Sequence, residues 1–141
     1  MSEFTYKDEF VQKVKEFYEL PVQISYEIDK IMKEIKVLFA DLQRELAIEL
    51  KALDDNELDV FIGETNFEIR VRHRQLLIER VASHTIEITR VSNGNEVRKF
   101  DVIGYAGELG KIVSYSSKEE YNISLIEHYL KKTFEGLLEN E

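Results

Sequence analysis

Cysteine is absent from all 141 residues, which excludes disulfides, thiolate metal sites and thiol nucleophiles. Proline occurs once, at Pro21, and glycine six times, so little in the chain interrupts regular structure. Positive charge is scarce: 19 lysines and arginines face 28 acids, and the net charge of −9 repels polyanions at long range. Any anion site must therefore be local, and nucleic acid is a disfavoured partner. No stretch approaches the roughly 18 apolar residues of a membrane span, and Met1 to Phe10 carry acids without an apolar run. The expectation is a cytoplasmic protein with no membrane partner. What is present, 43% hydrophobic residues, suffices for the core of a single domain over residues 1–141.

The strongest pattern lies in the first third of the chain. Phe10, Val14, Phe17, Pro21, Ile24, Ile28, Ile31, Ile35, Leu38 and Leu42 recur at alternating spacings of four and three, the mark of a helix with one apolar seam. Thr5, followed by Asp8 and Glu9, has the chemistry of a helix start near Tyr6. Pro21 lacks an amide hydrogen and its ring clashes with the carbonyl one turn earlier, which predicts a kink or tight corner. The seam nevertheless keeps its phase across it. From Val22 to about Ala52 no glycine or proline intervenes, and good helix formers dominate. Such a helix is about 45 Å long, against roughly 35–40 Å for a compact domain of this size, so one end is expected to project or find a partner. Beyond Leu42 the seam positions pass to Glu45 and Glu49, and the apolar set shifts to Phe39, Leu46, Leu50 and Leu53.

The cluster Asp54, Asp55, Asn56 and Glu57 punctuates the helical segment over 6–53, and from Leu58 the apolar period changes to alternation. Phe67, Ile69 and Val71 alternate with Glu68, Arg70 and Arg72; Ile86 and Ile88 with Glu87 and Thr89; Val97, Phe100 and Val102 follow an Asn93-Gly94 turn. Strands are expected near 58–62, 67–73, 75–82, 84–91, 96–103 and 111–115. The short gaps between them force an antiparallel meander over 58–116, with one wet face. Ser117 and Glu120 stand at capping-box spacing before Tyr121, Ile123, Ile126, Tyr129, Leu130 and Phe134, which predicts an amphipathic closing helix over 117–139. The fold class is α+β: a long N-terminal helical segment kinked or cornered at Pro21, a five- to six-stranded antiparallel meander, and a C-terminal helix packed on the sheet.

Two surfaces stand out as candidate sites. The seam residues Ile24, Ile28, Ile31, Ile35, Leu38 and Leu42 either cover the chain's own sheet or meet a second helical stripe, and the apolar set widens through Val11, Tyr18, Met32 and Phe39. Six of the seven arginines fall between residues 67 and 116, where eight basic side chains outnumber six acidic ones. Arg70, Arg72 and Arg74 form a possible anion grip, with Arg70 and Arg72 expected on one strand face. The alternative is cross-strand pairing with Glu68, Glu79 and Glu87.

Other motifs fail on spacing. In Gly104–Lys111, Tyr105 occupies the first Walker A glycine position and Ile112 the Ser/Thr position, so the segment reads as a mobile turn between strands. His73, His84 and His128 lie at no ligand spacing from one another, and no nucleophile or paired carboxylate attaches to them. No catalytic residue, cofactor or metal site is expected. From Lys111–Tyr115 through Ser117–Phe134 the chain resembles small uncharacterised proteins of Bacillus and related Firmicutes. They pair N-terminal helices with a meander and a closing helix of the type Ile-Glu-x-Tyr-Leu-x-x-x-Phe, here Ile126, Glu127, Tyr129, Leu130 and Phe134. The resemblance implies the same architecture and carries no functional residue. The expected role is a non-enzymatic interaction or regulatory module, joining a second copy or another protein through the seam 10–42. A small anionic ligand or nucleic-acid backbone on the arginine face is the alternative.

Overall fold

The computed structural model describes residues 6–92 and 96–138; Thr5 and the Asn93-Gly94 turn lie outside them. Helices α1 (Tyr6–Phe17), α2 (Glu19–Glu45) and α3 (Ala47–Ala52) are followed by strands β1 (Leu58–Ile62), β2 (Asn66–Val71), β3 (Arg74–Ala82), β4 (Thr85–Ser92), β5 (Glu96–Ala106) and β6 (Lys111–Ser114), then by α4 (Ser124–Phe134). The strands form one antiparallel sheet in the order β1 to β6, and α2, α3 and α4 lie on one face of it. The fold is the α+β architecture read from the sequence.

Pro21 kinks the helical segment without making a loop. Its ring crowds the carbonyl of Phe17, and the backbone leaves helical geometry at the next residue, Tyr18, with φ −103° and ψ 14°. Hydrogen bonds from Tyr18 N to the Val14 carbonyl (3.0 Å) and from Val22 N to the Tyr18 carbonyl (2.9 Å) span the break. α1 therefore continues α2 and does not fold back on it. A second one-residue break, at Leu46, coincides with the handover of the apolar stripe from Leu42 to Leu46 and Leu50, both packed on the core.

Register places the core. Val60, Ile69 and Leu76 form one inward row, and Phe67, Ile78 and Ile88 another. Ile24, Ile28, Ile31, Ile35 and Phe39 of α2 pack on these rows with Ile126, Tyr129 and Phe134 of α4. The Phe39 and Phe67 rings lie 5.5 Å apart. On the opposite face Gln75 donates to Glu68, and Lys99 pairs with Glu87 at 3.3 Å, beside the apolar Phe61 and Leu77.

The closing helix begins later than its sequence predicts. Ser117 and Glu120 do not open it. Residues 119–121 instead extend the β6 edge, with Ser114 N donating to the Glu119 carbonyl (2.9 Å) and Tyr121 N to that of Ile112 (2.9 Å). The cap comes from Asn122, whose Oδ1 accepts from Ser124 N at 2.7 Å. The glycine loop is also tighter than expected: Gly104 belongs to β5, and only 107–110 form the turn, with Gly110 at φ +68°. A Cβ at Gly104 would sit 2.5 Å from the Tyr115 hydroxyl, which is why that strand position lacks a side chain.

Arg72 is strained. The β2–β3 turn holds two residues, Arg72 and His73, and Arg72 adopts φ +55° where such a hairpin favours glycine. A left-handed non-glycine residue costs roughly 1–2 kcal/mol. The exposed Arg72–Glu57 pair at 3.1 Å returns little. Arg72→Gly is expected to raise the melting temperature by a few degrees in a circular-dichroism melt; a fall would show that the ion pair outweighs the strain.

Candidate interaction surface

The apolar seam divides at Pro21. Ile24, Ile28, Ile31 and Ile35, candidate partner contacts in the sequence, are buried in the domain's own core, and Leu38 and Leu42 pack half-buried against it. Upstream the same helical face is bare. No residue of α1 is buried; Phe10 is 53% and Phe17 76% exposed, beside exposed Tyr6, Val14 and Tyr18. The sheet ends under this point. His84, in the β3–β4 turn, places Nε2 3.1 Å from the Pro21 carbonyl oxygen. Arg80 pairs with Asp29 and donates to Ser25 Oγ at 3.1 Å, tying the strand end to the second and third turns of α2. Beyond that staple α1 overhangs, with none of the described residues burying its stripe.

Three of the arginines, Arg74, Arg80 and Arg90, hold the layers together. Arg74 faces inward and donates to the carbonyls of Glu135 (2.6 Å) and Thr133 (3.4 Å) at the C-terminal end of α4. Arg90 donates to the Lys132 carbonyl (3.4 Å) with its guanidinium 4.9 Å from the Phe100 ring centre. Both satisfy carbonyls that a helix end leaves free and meet the negative end of its dipole. Arg70 stands opposite Asp59 and Gln75 on the outer face. Arg72 does not share that strand face, because β2 ends at Val71 and Arg72 turns away in the hairpin. Arg70, Arg72 and Arg74 thus point to three different places.

A buried carboxylate, not singled out in the sequence, lies at the other side of the core. Ile88 pairs with Asp101 while Thr89 pairs with Lys99, leaving Phe100 as the extra residue of a β-bulge. Phe100 and Asp101 can therefore both face α4. The Phe100 ring lies 5.2 Å from that of Tyr129, and Asp101 Oδ2 accepts from Tyr129 OH and Ser114 Oγ, each at 2.5 Å. Oδ1 accepts from the amides of Val102 (2.7 Å) and Ser116 (3.0 Å). Burial pushes the carboxyl pKa up, but these hydrogen bonds from Ser114, Tyr129, Val102 and Ser116 outweigh it and hold the group below its ordinary value. Burial and the neighbouring carboxylate push the Tyr129 hydroxyl the other way, far above its usual range. Burial and the bond to Glu34 Oε1 (2.8 Å) do the same for Tyr121. The cluster acts as a polar strut joining β5, β6 and α4. The sequence signal for it was parity: Asp101 shares its strand face with Ile103.

An apolar concavity of about 710 Å³ opens between the end of α2, strands β1 and β2 and the end of α4, lined mainly by Leu42, Leu46, Leu53, Leu58, Phe134 and Leu138. The three histidines sit apart, His73 and His84 in different turns and His128 on α4. Among the described residues no cluster of three or more acids or histidines could hold a metal ion, and no helix is long and apolar enough to cross a membrane. No protein-family model matches the chain, and no curated protein or solved structure is significantly similar to it.

Proposed function

We propose that the protein is a non-enzymatic interaction module that self-associates through the bare N-terminal part of its helical seam, Phe10, Val14 and Phe17. The observation that carries this reading is a helix with an apolar stripe and no buried residue. A 12-residue helix is marginal in water on its own, and helical stability comes from covering such a face. Continuity with α2 supplies some helix propagation but leaves the aromatic side chains wet.

The test is absolute mass by light scattering across a range of concentrations, for the wild type and for Phe10→Glu with Phe17→Glu. The expected result is a concentration-dependent dimer or larger species for the wild type and a monomer for the double variant. Each lost aromatic contact weakens association by about 1.5–3 kcal/mol, or roughly tenfold to a hundredfold. Below the concentration at which the wild type associates, both proteins should melt at nearly the same temperature, since neither side chain is in the core. A wild type that stays monomeric at every concentration overturns the reading.

A further inference from the structure

We infer that α1 of one copy lies in the leucine-lined groove of a second copy, so that two chains exchange N-terminal arms. The inference rests on the self-association proposed above and names its second surface.

Two unpartnered apolar features occupy opposite ends of one rigid element. The arm carries its stripe upstream of Pro21, whereas the groove is built on Leu42 and Leu46 at the far end of α2. Phe17 and Leu42 are about 37 Å apart along the helix. Because helical hydrogen bonds cross the Tyr18 break, the arm runs on from α2 and cannot double back into its own groove. Only another copy can bring the two together. Reciprocal exchange closes the pair with two identical contacts and leaves no free end to propagate.

Area and charge agree with this occupant. Tyr6, Phe10, Phe17 and Tyr18 are half to three-quarters exposed; covering them removes about 500 Å² per arm at 150–250 Å² per aromatic side chain. With an equal area from each groove, two contacts together bury about 2,000 Å², inside the range of stable interfaces, whereas one arm-on-arm contact falls near the lower limit. Along the groove rim Arg72 pairs with Glu57, and Lys132 with Glu135, which leaves the Lys131 ammonium without an ion-pair partner among the described residues. Residues 6–19 of the arm carry four acids against three lysines. Glu9 is engaged with Lys13 and Glu16 with Gln12, so Asp8 and Glu19 are left to meet a cation.

Sedimentation velocity on the full chain tests the exchange with two variants that spare the core: the arm variant Phe10→Glu with Phe17→Glu, and a groove variant, Leu53→Glu with Leu138→Glu. Leu53 and Leu138 are 44% and 57% exposed, so the groove variant is expected to keep the wild-type melting temperature at concentrations where the wild type is itself monomeric. Each variant alone should be monomeric where the wild type is dimeric. An equimolar mixture should regain a dimer, at least tenfold weaker than the wild type, because the intact arm of one variant meets the intact groove of the other. A groove variant that dimerises like the wild type would overturn the exchange while leaving self-association through the arm standing, as would a mixture that stays monomeric. A monomeric wild type would remove both.

Discussion

Ile28→Glu is expected to unfold the domain, not merely to separate copies of it. Ile28 is wholly inaccessible to solvent, on the face of α2 that packs against the inward rows of the sheet. Removing the side chain forfeits about 2–3 kcal/mol of apolar burial, and placing an ionised carboxylate there costs several more. The total approaches the roughly 5–15 kcal/mol by which domains of this size are stable. The milder Ile28→Ala should cost about 2–5 kcal/mol by leaving a cavity. Urea titration followed by far-ultraviolet circular dichroism reads both: no cooperative transition for the glutamate variant, and a lowered midpoint for the alanine variant. Phe17→Glu, on the same helical face but upstream of Pro21, should leave the midpoint where it is. A folded Ile28→Glu with normal stability would mean that α2 does not pack on the sheet as described.

Asp101→Leu should cost about 3–5 kcal/mol despite the same branched side-chain shape and greater hydrophobicity. The loss comes from the partners: Tyr129 OH, Ser114 Oγ and the amides of Val102 and Ser116 all donate to this carboxylate and would be left without it. Acid should do part of the same work. The carboxyl is held below its ordinary value in the folded protein, so its contribution is complete above the unfolded value near pH 3.9 and is lost as pH falls through the folded one. Asp101→Asn keeps one acceptor oxygen but cannot accept from both Tyr129 and Ser114 at the second position. The stability gap between wild type and Asp101→Asn should therefore be wide at neutral pH and shrink below about pH 4. A gap of constant width from pH 7 to pH 3 would show that ionisation of Asp101 contributes nothing to stability.

Much of the architecture was legible because it is local. The four-three spacing from Phe10 to Leu42 requires a helix, Pro21 requires a disturbance within one turn of itself, and the short gaps after Leu58 require an antiparallel meander. The misplacements were also local in origin, but they involve competing partners. Ser117 and Glu120 have capping-box chemistry, yet the backbone at 119–121 found the open edge of β6, whose hydrogen bonds a helix start could not offer. Arg70 and Arg72 have strand parity, yet the chain turned at Arg72. Asp101 shares parity with Ile103, but the bulge at Phe100 breaks the alternation on its other side, and its four donors come from residues 102 to 129.

The sequence by itself determined which residues share a face: Phe10, Phe17, Ile28 and Ile35 lie along one side of one helix because the period of the helix is set by backbone geometry. Only the tertiary structure decided what that face meets. Downstream of Pro21 a sheet lies beneath it and the stripe becomes core; upstream the sheet has ended at the Ser83–His84 turn and the same chemistry is left in water. Apolar burial is non-directional and acts on whatever surface comes within reach, so periodicity specifies the sticky side of an element but not its occupant. The same holds for the charges. The arginines were visible in the chain, but only the packed layers turned Arg74, Arg80 and Arg90 into ties between sheet and helix.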